Sequence, residues 1–307
     1  MAYNMKILLT GGSGMVGMNI RDKLDVLAPT SQELNLLSLE DCQTYIHHVR
    51  PDIVIHAAGK VGGIQANINN QFEYLYANAK MGENILLASH RYVRHFINLG
   101  SSCMYPKDAA IPFVEDSLFT GKPEPTNDGY ATAKLYVHKM GIFLSDHKFK
   151  FTTLIPCNLY GHYDKYDPDM SHLVASVIKK VRTANDINAP NVEIWGSGEA
   201  RREVMFAADL AEFIVFILDK LGSLPVVMNV GTGIDYSIKE YYQIIAGVIG
   251  YQGKFIYNPD KPEGMTHKLL NIQKQKQLGW APTTDLATGI KEIASMRKYT
   301  FWHDFEY

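Results

Sequence analysis

Cysteine is scarce in this chain: the 307 residues hold only Cys42, Cys103 and Cys157, far apart in sequence. Such spacing gives neither a disulfide framework nor the CxxC pairs of a zinc site, so reduced thiols and no structural metal are expected. A charge imbalance is missing too. The net charge is −2, with Lys and Arg dispersed, which excludes the electrostatic footprint of a nucleic-acid binder or of a protein held on an anionic membrane and leaves only local anion sites. No uninterrupted apolar stretch is long enough to span a bilayer, and Met1-Ala-Tyr-Asn-Met-Lys6 runs into a strand-like segment without a signal-peptide core. A cytoplasmic protein is expected. Internal repeats and low-complexity tracts are likewise absent.

What is present is a chain 46% hydrophobic and 20% charged, enough for one large or two coupled domains. Lys6-Ile-Leu-Leu-Thr10 reads as a short buried strand. It stops at Gly11-Gly-Ser-Gly14-Met-Val-Gly17, and Met18–Leu24 then has helical spacing. In a strand, turn, helix order, Gly11, Gly14, Met15, Val16 and Gly17 form a backbone cradle for a pyrophosphate, backed by the unpaired N–H groups of a helix start. A second strand is expected at Asp25-Val-Leu-Ala28. Pro29-Thr-Ser-Gln32 after it carries no carboxylate for a ribose diol and no arginine for a 2′-phosphate; the first absence leans toward NADPH over NADH, with Arg21 within reach. Helix Leu39–Val49 and strand Asp52–His56 follow, closed by Ala57, Ala58 and Gly59, small enough to admit the adenosine side of a dinucleotide.

A helix from Phe72 to His90 carries Asn78, either facing solvent or ordering an active-site lysine. The next strand, Phe96-Ile-Asn-Leu99, opens through Gly100 into Ser101-Ser-Cys-Met-Tyr-Pro106, as buried strands do where they meet a reactive crevice. Tyr130 and Lys134 share one helix face, so the ammonium is expected to lower the phenol pKa for acid work while Ser101 positions a carbonyl. Pro106, Pro112, Pro123 and Pro125 make the intervening connection irregular, and Glu124-Pro-Thr-Asn127 is expected to cap the Tyr130 helix. Strand Lys150–Ile155 ends in Pro156-Cys-Asn158-Leu159-Tyr-Gly161, and Tyr163–Pro168 reads as a mobile loop. Ser171-His172 precedes an amphipathic helix, Leu173–Arg182, whose Lys179, Lys180 and Arg182 face either a phosphate or water. Val192–Gly198 forms a strand and turn with Trp195, and Arg201-Arg202 follows, where a planar guanidinium suits a pyrophosphate. Helix Leu210–Leu221, strand Val226–Val230, helix Ile238–Ile249 and a helical piece from Leu286 to Met296 complete the chain. The class is α/β: a Rossmann-type doubly wound parallel sheet over residues 1–163, rejoined around 203–235, with a smaller mixed C-terminal substrate domain over 164–307.

These motifs, in this order, resemble the GDP-L-fucose synthase family of the extended short-chain dehydrogenase/reductases. The resemblance is collinear over nearly the whole chain and is most specific at Val61-Gly-Gly-Ile64 and Ser102-Cys-Met-Tyr-Pro106. It implies that Ser101 holds a substrate 4-keto oxygen, that Tyr130 gives it a proton, and that Lys134 tunes Tyr130 and binds ribose while NADPH delivers hydride. It further implies that Cys103 and His172 invert C3 and C5 of the keto sugar beforehand. Pro156, Asn158, Leu159 and His172 would border the cofactor, and Ser102, Asn158, Lys180, Trp195, Arg202 and Lys268 the GDP-4-keto sugar. A homodimer through the Phe72 and Tyr130 helices is implied as well. From the residues alone, Cys103 suits a small core side chain and His172 a helix cap. Departures are Ser13 and Thr30-Ser31, where the family often has arginines, and Phe206-Ala-Ala-Asp209 in place of His-Val-Asp-Asp. Two other readings stay open: a reductase acting only at C4, for instance on a GDP-4-keto-heptose, and a non-catalytic dinucleotide sensor.

Overall fold

The computed structural model describes residues 5–166, 172–261 and 264–295. β1 (Ile7–Thr10) is buried along its whole length and pairs in parallel with β2 (Ile53–His56). Between them lie α1 (Met15–Arg21) and α2 (Leu39–Val49). α1 begins three residues earlier than its hydrophobic spacing suggests, because the glycine turn itself forms the first helical turn. Helix and strand pack so closely there that a Cβ on Gly17 would lie 2.1 Å from the Gly11 carbonyl oxygen. The strand expected at Asp25–Ala28 contracts to one bridge, Leu8 with Leu27, held by Leu9 N–H to Leu27 O at 2.8 Å and Leu27 N–H to Ile7 O at 2.9 Å. Pro29, which has no N–H to continue a ladder, follows at once.

The chain continues through α3 (Ile64–Asn69), α4 (Gln71–Ser89), β3 (His95–Leu99), α5 (Asp128–Leu144) and β4 (Lys150–Pro156). It then runs through β5 (Asn158–Tyr160), α6 (Leu173–Asp186), β6 (Asn191–Trp195), β7 (Arg201–Phe206), α7 (Ala207–Leu218) and β8 (Val227–Val230). β9 (Asp235–Ser237), α8 (Ile238–Ile249), β10 (Lys254–Asn258), β11 (His267–Lys268), α9 (Gln273–Gln277) and α10 (Leu286–Ser295) come last. The main sheet runs β1-β2-β3-β4-β8, parallel at every pairing, so the fold is Rossmann-type. Because β1 lies between Leu27 and β2, the chain leaves it in opposite directions, and a crevice opens at the carboxyl ends of β1 and β2. α7 is apolar around most of its surface, with Leu210, Phe213, Ile214 and Ile217 fully buried, each such side chain contributing roughly 1.5–3 kcal/mol. Smaller sheets, β11-β7-β5 with β9 on β7, and β10-β6, lie beyond the main one. Among the described residues no helix is long and apolar enough to cross a membrane.

Three histidines are buried in and beside the main sheet, each bonded to a threonine: His56 to Thr10 at 2.8 Å, His95 to Thr152 at 3.0 Å and His138 to Thr153 at 2.9 Å. Burial favours their neutral forms, taking His56 down to about 3 and His95 and His138 to about 4.

Candidate active site

β3 delivers the first reactive groups. After Leu99 the chain passes Gly100, where a Cβ would meet Met104 Sδ at 2.9 Å, and turns through Ser102–Met104 with Ser101 Oγ accepting from Cys103 N–H at 3.2 Å. α5, packed along α4, supplies Tyr130 and Lys134. The Tyr130 phenol hydrogen-bonds Ser101. Its pKa is raised above the ordinary tyrosine value chiefly by burial, with Cys103 adding to the effect and the Ser101 bond opposing it. The expectation of a lysine-acidified phenol is therefore corrected. Lys134 Nζ donates to the Leu99 carbonyl at 2.9 Å and lies 5.8 Å from the Tyr130 ring centroid, while burial lowers its own pKa to about 8. Near neutral pH the phenol is a proton donor in its resting form, and Lys134 is a weakened ammonium pinned at the strand end.

Two further side chains converge on Cys103. Asn127 Nδ2 donates to Cys103 Sγ at 3.2 Å, and Lys268 Nζ does so at 3.6 Å. Asn127 occupies the N-cap position of α5 but makes no capping bond; its amide is spent on the sulfur, which overturns the capping expectation. Asn78 is buried rather than solvent-facing. It bonds the backbone of Lys60 with both ends of its amide, at 2.9 and 3.0 Å, and so holds in place the turn that follows Gly59.

His172, in the same cleft, begins α6 without a side-chain cap. Asp164, whose carboxyl pKa burial raises, feels His172 as its principal opposing charge. Asp167 and Pro168 of the expected loop, Ser171 ahead of α6, and Met296 lie outside the described residues. Trp195 is 44% exposed and is flanked by two ammonium groups, Lys180 at 4.9 Å and Lys261 at 5.4 Å from its ring. Burial lowers the Lys180 pKa, with nearby Lys261 acting in the same direction and Glu193 against it. Arg201 is engaged elsewhere, bonded to Asp235 at 3.0 Å, and Arg182 reaches the Ala294 carbonyl; Arg202 lines the cleft instead. One cavity of about 1000 Å³ gathers Ser101, Cys103, Asn127, Tyr130, Asn158, Leu159, His172, Lys179, Lys180, Trp195, Arg202 and Lys268 along its walls. Ser102 is not among them, being buried beneath the strand-end turn.

The dinucleotide crevice adjoins this cleft. Gly11 has φ +76°, and a Cβ there would lie 2.5 Å from Ala58 N, so only glycine lets the turn after β1 meet the turn after β2. Gly14 N–H closes the turn onto Gly11 O at 3.1 Å, leaving α1 without a side-chain cap over Met15, Val16 and Gly17. A Cβ on Gly59 would be 3.7 Å from Lys134 Nζ, which puts the lysine at the edge of the crevice. Pro156 ends β4, paired with Val230 of β8. This narrow, glycine-lined cradle fits a dinucleotide pyrophosphate.

Sequence reasoning did not anticipate Lys261 on Trp195 or Asn127 on Cys103. Lys261 sits in a loop after β10 and reaches Trp195 only because β10 pairs with β6, a register no local pattern announces. The NAD dependent epimerase/dehydratase family model matches residues 7–231. The chain is 47% identical over 296 residues to a GDP-L-colitose synthase of Yersinia pseudotuberculosis, covering 94% of this chain and 96% of that one. It is 43% identical to a GDP-L-fucose synthase of Azorhizobium caulinodans, with coverages of 95% and 96%. A solved structure of a GDP-mannoheptose C4 reductase from Campylobacter jejuni with NADP bound superposes with a TM-score of 0.85 at 26% identity, over 95% of this chain and 97% of that one. By family model, identity and fold together, the chain belongs to the NAD dependent epimerase/dehydratase family, among the GDP-L-fucose synthase-like enzymes.

Proposed function

We propose that the protein reduces the C4 ketone of a GDP-4-keto sugar with NADPH, after inverting the neighbouring carbons C3 and C5. The convergence of Ser101, Tyr130, Cys103 and His172 on one cleft beside the dinucleotide crevice carries this reading. Gly11, Gly14, Met15, Val16 and Gly17 would hold the pyrophosphate, Ala57 to Gly59 the adenosine side, and Lys134 a ribose hydroxyl. When bound, the dinucleotide supplies hydride to C4. Ser101 positions the ketone oxygen, and Tyr130, protonated because burial raises its pKa, passes its proton to that oxygen as the alcohol forms. Protons beside a ketone are acidic, so Cys103 and His172, both lining the cleft, would remove one from one face of the sugar and return one from the other. Tyr130 and Ser101 would stabilise the intervening enolate. Lys180 and Lys261 around Trp195, with Arg202 on the cleft wall, make a cationic, aromatic mouth for the guanosine diphosphate end.

The reading includes a division of labour along the chain, with residues 1–163 and the return near 203–235 serving the dinucleotide and 164–307 mainly the sugar nucleotide. It also includes a cytoplasmic homodimer. Phe72 (77% exposed), Tyr76, Tyr136 and Phe143 (78% exposed) present apolar surface on the packed helices α4 and α5, which a second copy would cover. The test is to incubate enzyme and NADPH in D2O with the keto precursors of GDP-L-fucose and GDP-L-colitose and with a GDP-4-keto-heptose, following NADPH absorbance and product mass. NADPH oxidation with deuterium at the carbons flanking C4 is expected. Oxidation without deuterium would leave a C4 reductase only, and neither signal with any of the sugars would remove the assignment.

A further inference from the structure

Lys268 stands where a group binding GDP phosphates would be expected, yet its ammonium is directed at a sulfur. Four groups face Cys103 from the elements around it: Lys268 from β11, Asn127 from the turn before α5, Tyr130 from α5 and Ser101 from its own turn. Two of them, the ammonium at 3.6 Å and the amide at 3.2 Å, donate to Sγ. Sulfur is a weak acceptor as a thiol and a strong one as a thiolate, so a cation and an amide directed at one sulfur suit the charged form better than the neutral one.

The backbone that carries Lys268 is fixed on both sides. Lys268 is in register with Arg202 of β7, and Arg201 N–H bonds Thr266 O at 2.8 Å. Downstream, Phe113 N–H bonds Leu269 O at 2.8 Å and Asn271 N–H bonds Phe113 O at 2.9 Å. Leu270 N–H bonds the buried Glu203 carboxylate at 2.8 Å, and Asn229 Nδ2 holds Asn271 O at 3.0 Å. The tethered segment holds the Lys268 backbone at a set place beside Cys103, from which the ammonium reaches the sulfur at 3.6 Å.

We propose that Lys268, assisted by Asn127, is the positioning residue that keeps Cys103 as a thiolate, the form that accepts a sugar C–H proton. The idea deepens the epimerisation reading above and rests on it for its consequence, though not for its test. In the step it serves, the thiolate takes the proton from a carbon beside the ketone and becomes a thiol, while the C–H electron pair moves into the enolate. The imidazolium of His172 then protonates the opposite face and becomes neutral. Proton transfer through solvent from the thiol to the imidazole restores the starting pair, so no oxidant or reductant is needed.

The experiment is the rate of Cys103 alkylation by iodoacetamide at pH 7, without sugar nucleotide, followed by peptide mass spectrometry, with C103S as the blank. Lys268→Met is expected to slow alkylation about tenfold, and Lys268→Arg to recover most of that rate. Asn127→Ala is expected to slow it about threefold, and serves as the second probe should K268M fail to bind NADPH as a folded protein does. Slower proton exchange into the keto sugar in D2O should accompany the slower alkylation. Alkylation in folded K268M at the wild-type rate overturns the proposal, whatever happens to GDP affinity, because a lysine that only grips phosphate has no effect on an empty thiol. If wild-type enzyme exchanges no deuterium while alkylation still depends on Lys268, epimerisation fails and the pairing of Lys268 with Cys103 stands.

Discussion

The two walls of the cleft are built differently. Ser101, Cys103, Tyr130 and Lys134 stand on the end of a buried parallel strand and on the helix packed over it. Their partners are short-range and in part backbone: Leu99 O for Lys134, Cys103 N–H for Ser101. Trp195, Lys180 and Lys261, elsewhere on the cleft, are long side chains at a half-exposed mouth, held by cation and ring contacts of about 5 Å. Groups that move protons must be fixed to within a fraction of an ångström, so the chain places them on strand ends. Groups that hold a large charged ligand work through summed, adjustable attraction, and tolerate longer and more mobile supports.

Acid should expose this contrast most strongly. His56, His95 and His138 lie under the first wall, with folded values of about 3, 4 and 4 against an ordinary 6.5. These values are depressed, so as pH falls below 6.5 the unfolded chain takes up protons that the folded chain refuses. Stability is full above 6.5 and is lost down to about 4 for His95 and His138 and down to about 3 for His56, at up to about 1.4 kcal/mol per pH unit for each histidine. Hydrogen exchange read at pH 7 and pH 5 should show β2, β3 and α5 losing protection before β6 and β10; simultaneous loss would erase the difference between the walls.

Next in size is Tyr130→Phe. It removes a general acid while keeping the ring, and should lower kcat about 10²- to 10⁴-fold with NADPH affinity, read by fluorescence titration, nearly unchanged. Trp195→Ala, on the adaptable wall, should raise KM for the sugar nucleotide about tenfold and leave kcat within about twofold, the signature of lost uniform binding. If W195A lowered kcat as far as Y130F does, the mouth would be part of the reacting machinery and the contrast would be wrong. Away from both walls, Lys23 pairs with Glu212 at 2.9 Å, each about 40% exposed. Lys23→Met should change thermal stability by under about 1 kcal/mol, giving a floor against which the others are judged.

Much of this was legible in the chain. Gly11, Gly14 and Gly17 marked the cradle because their spacing is local and only glycine tolerates the closeness they create. Tyr130 and Lys134 were found because helical spacing is local too. What went unread depended on contacts between distant segments. The short bridge at Leu27 looked like a full strand, since its edge position is not written in Asp25–Ala28. Asn127 looked like a cap, since nothing near it in sequence reveals a sulfur at 3.2 Å. Tyr130 looked acidified by Lys134 because spacing gives proximity without orientation. In the fold the ammonium turns to Leu99 O and burial governs the phenol instead.

The sequence by itself determined the order of strands and helices, the glycine cradle and the identity of the reactive groups, because each is encoded within a few neighbouring residues. Tertiary structure alone decided which charges those groups feel. Desolvation of Tyr130 and Lys134, the cations around Trp195 and the ammonium on Cys103 all arise where segments far apart in sequence close on one another, and electrostatic energy depends on distance and burial rather than on position along the chain.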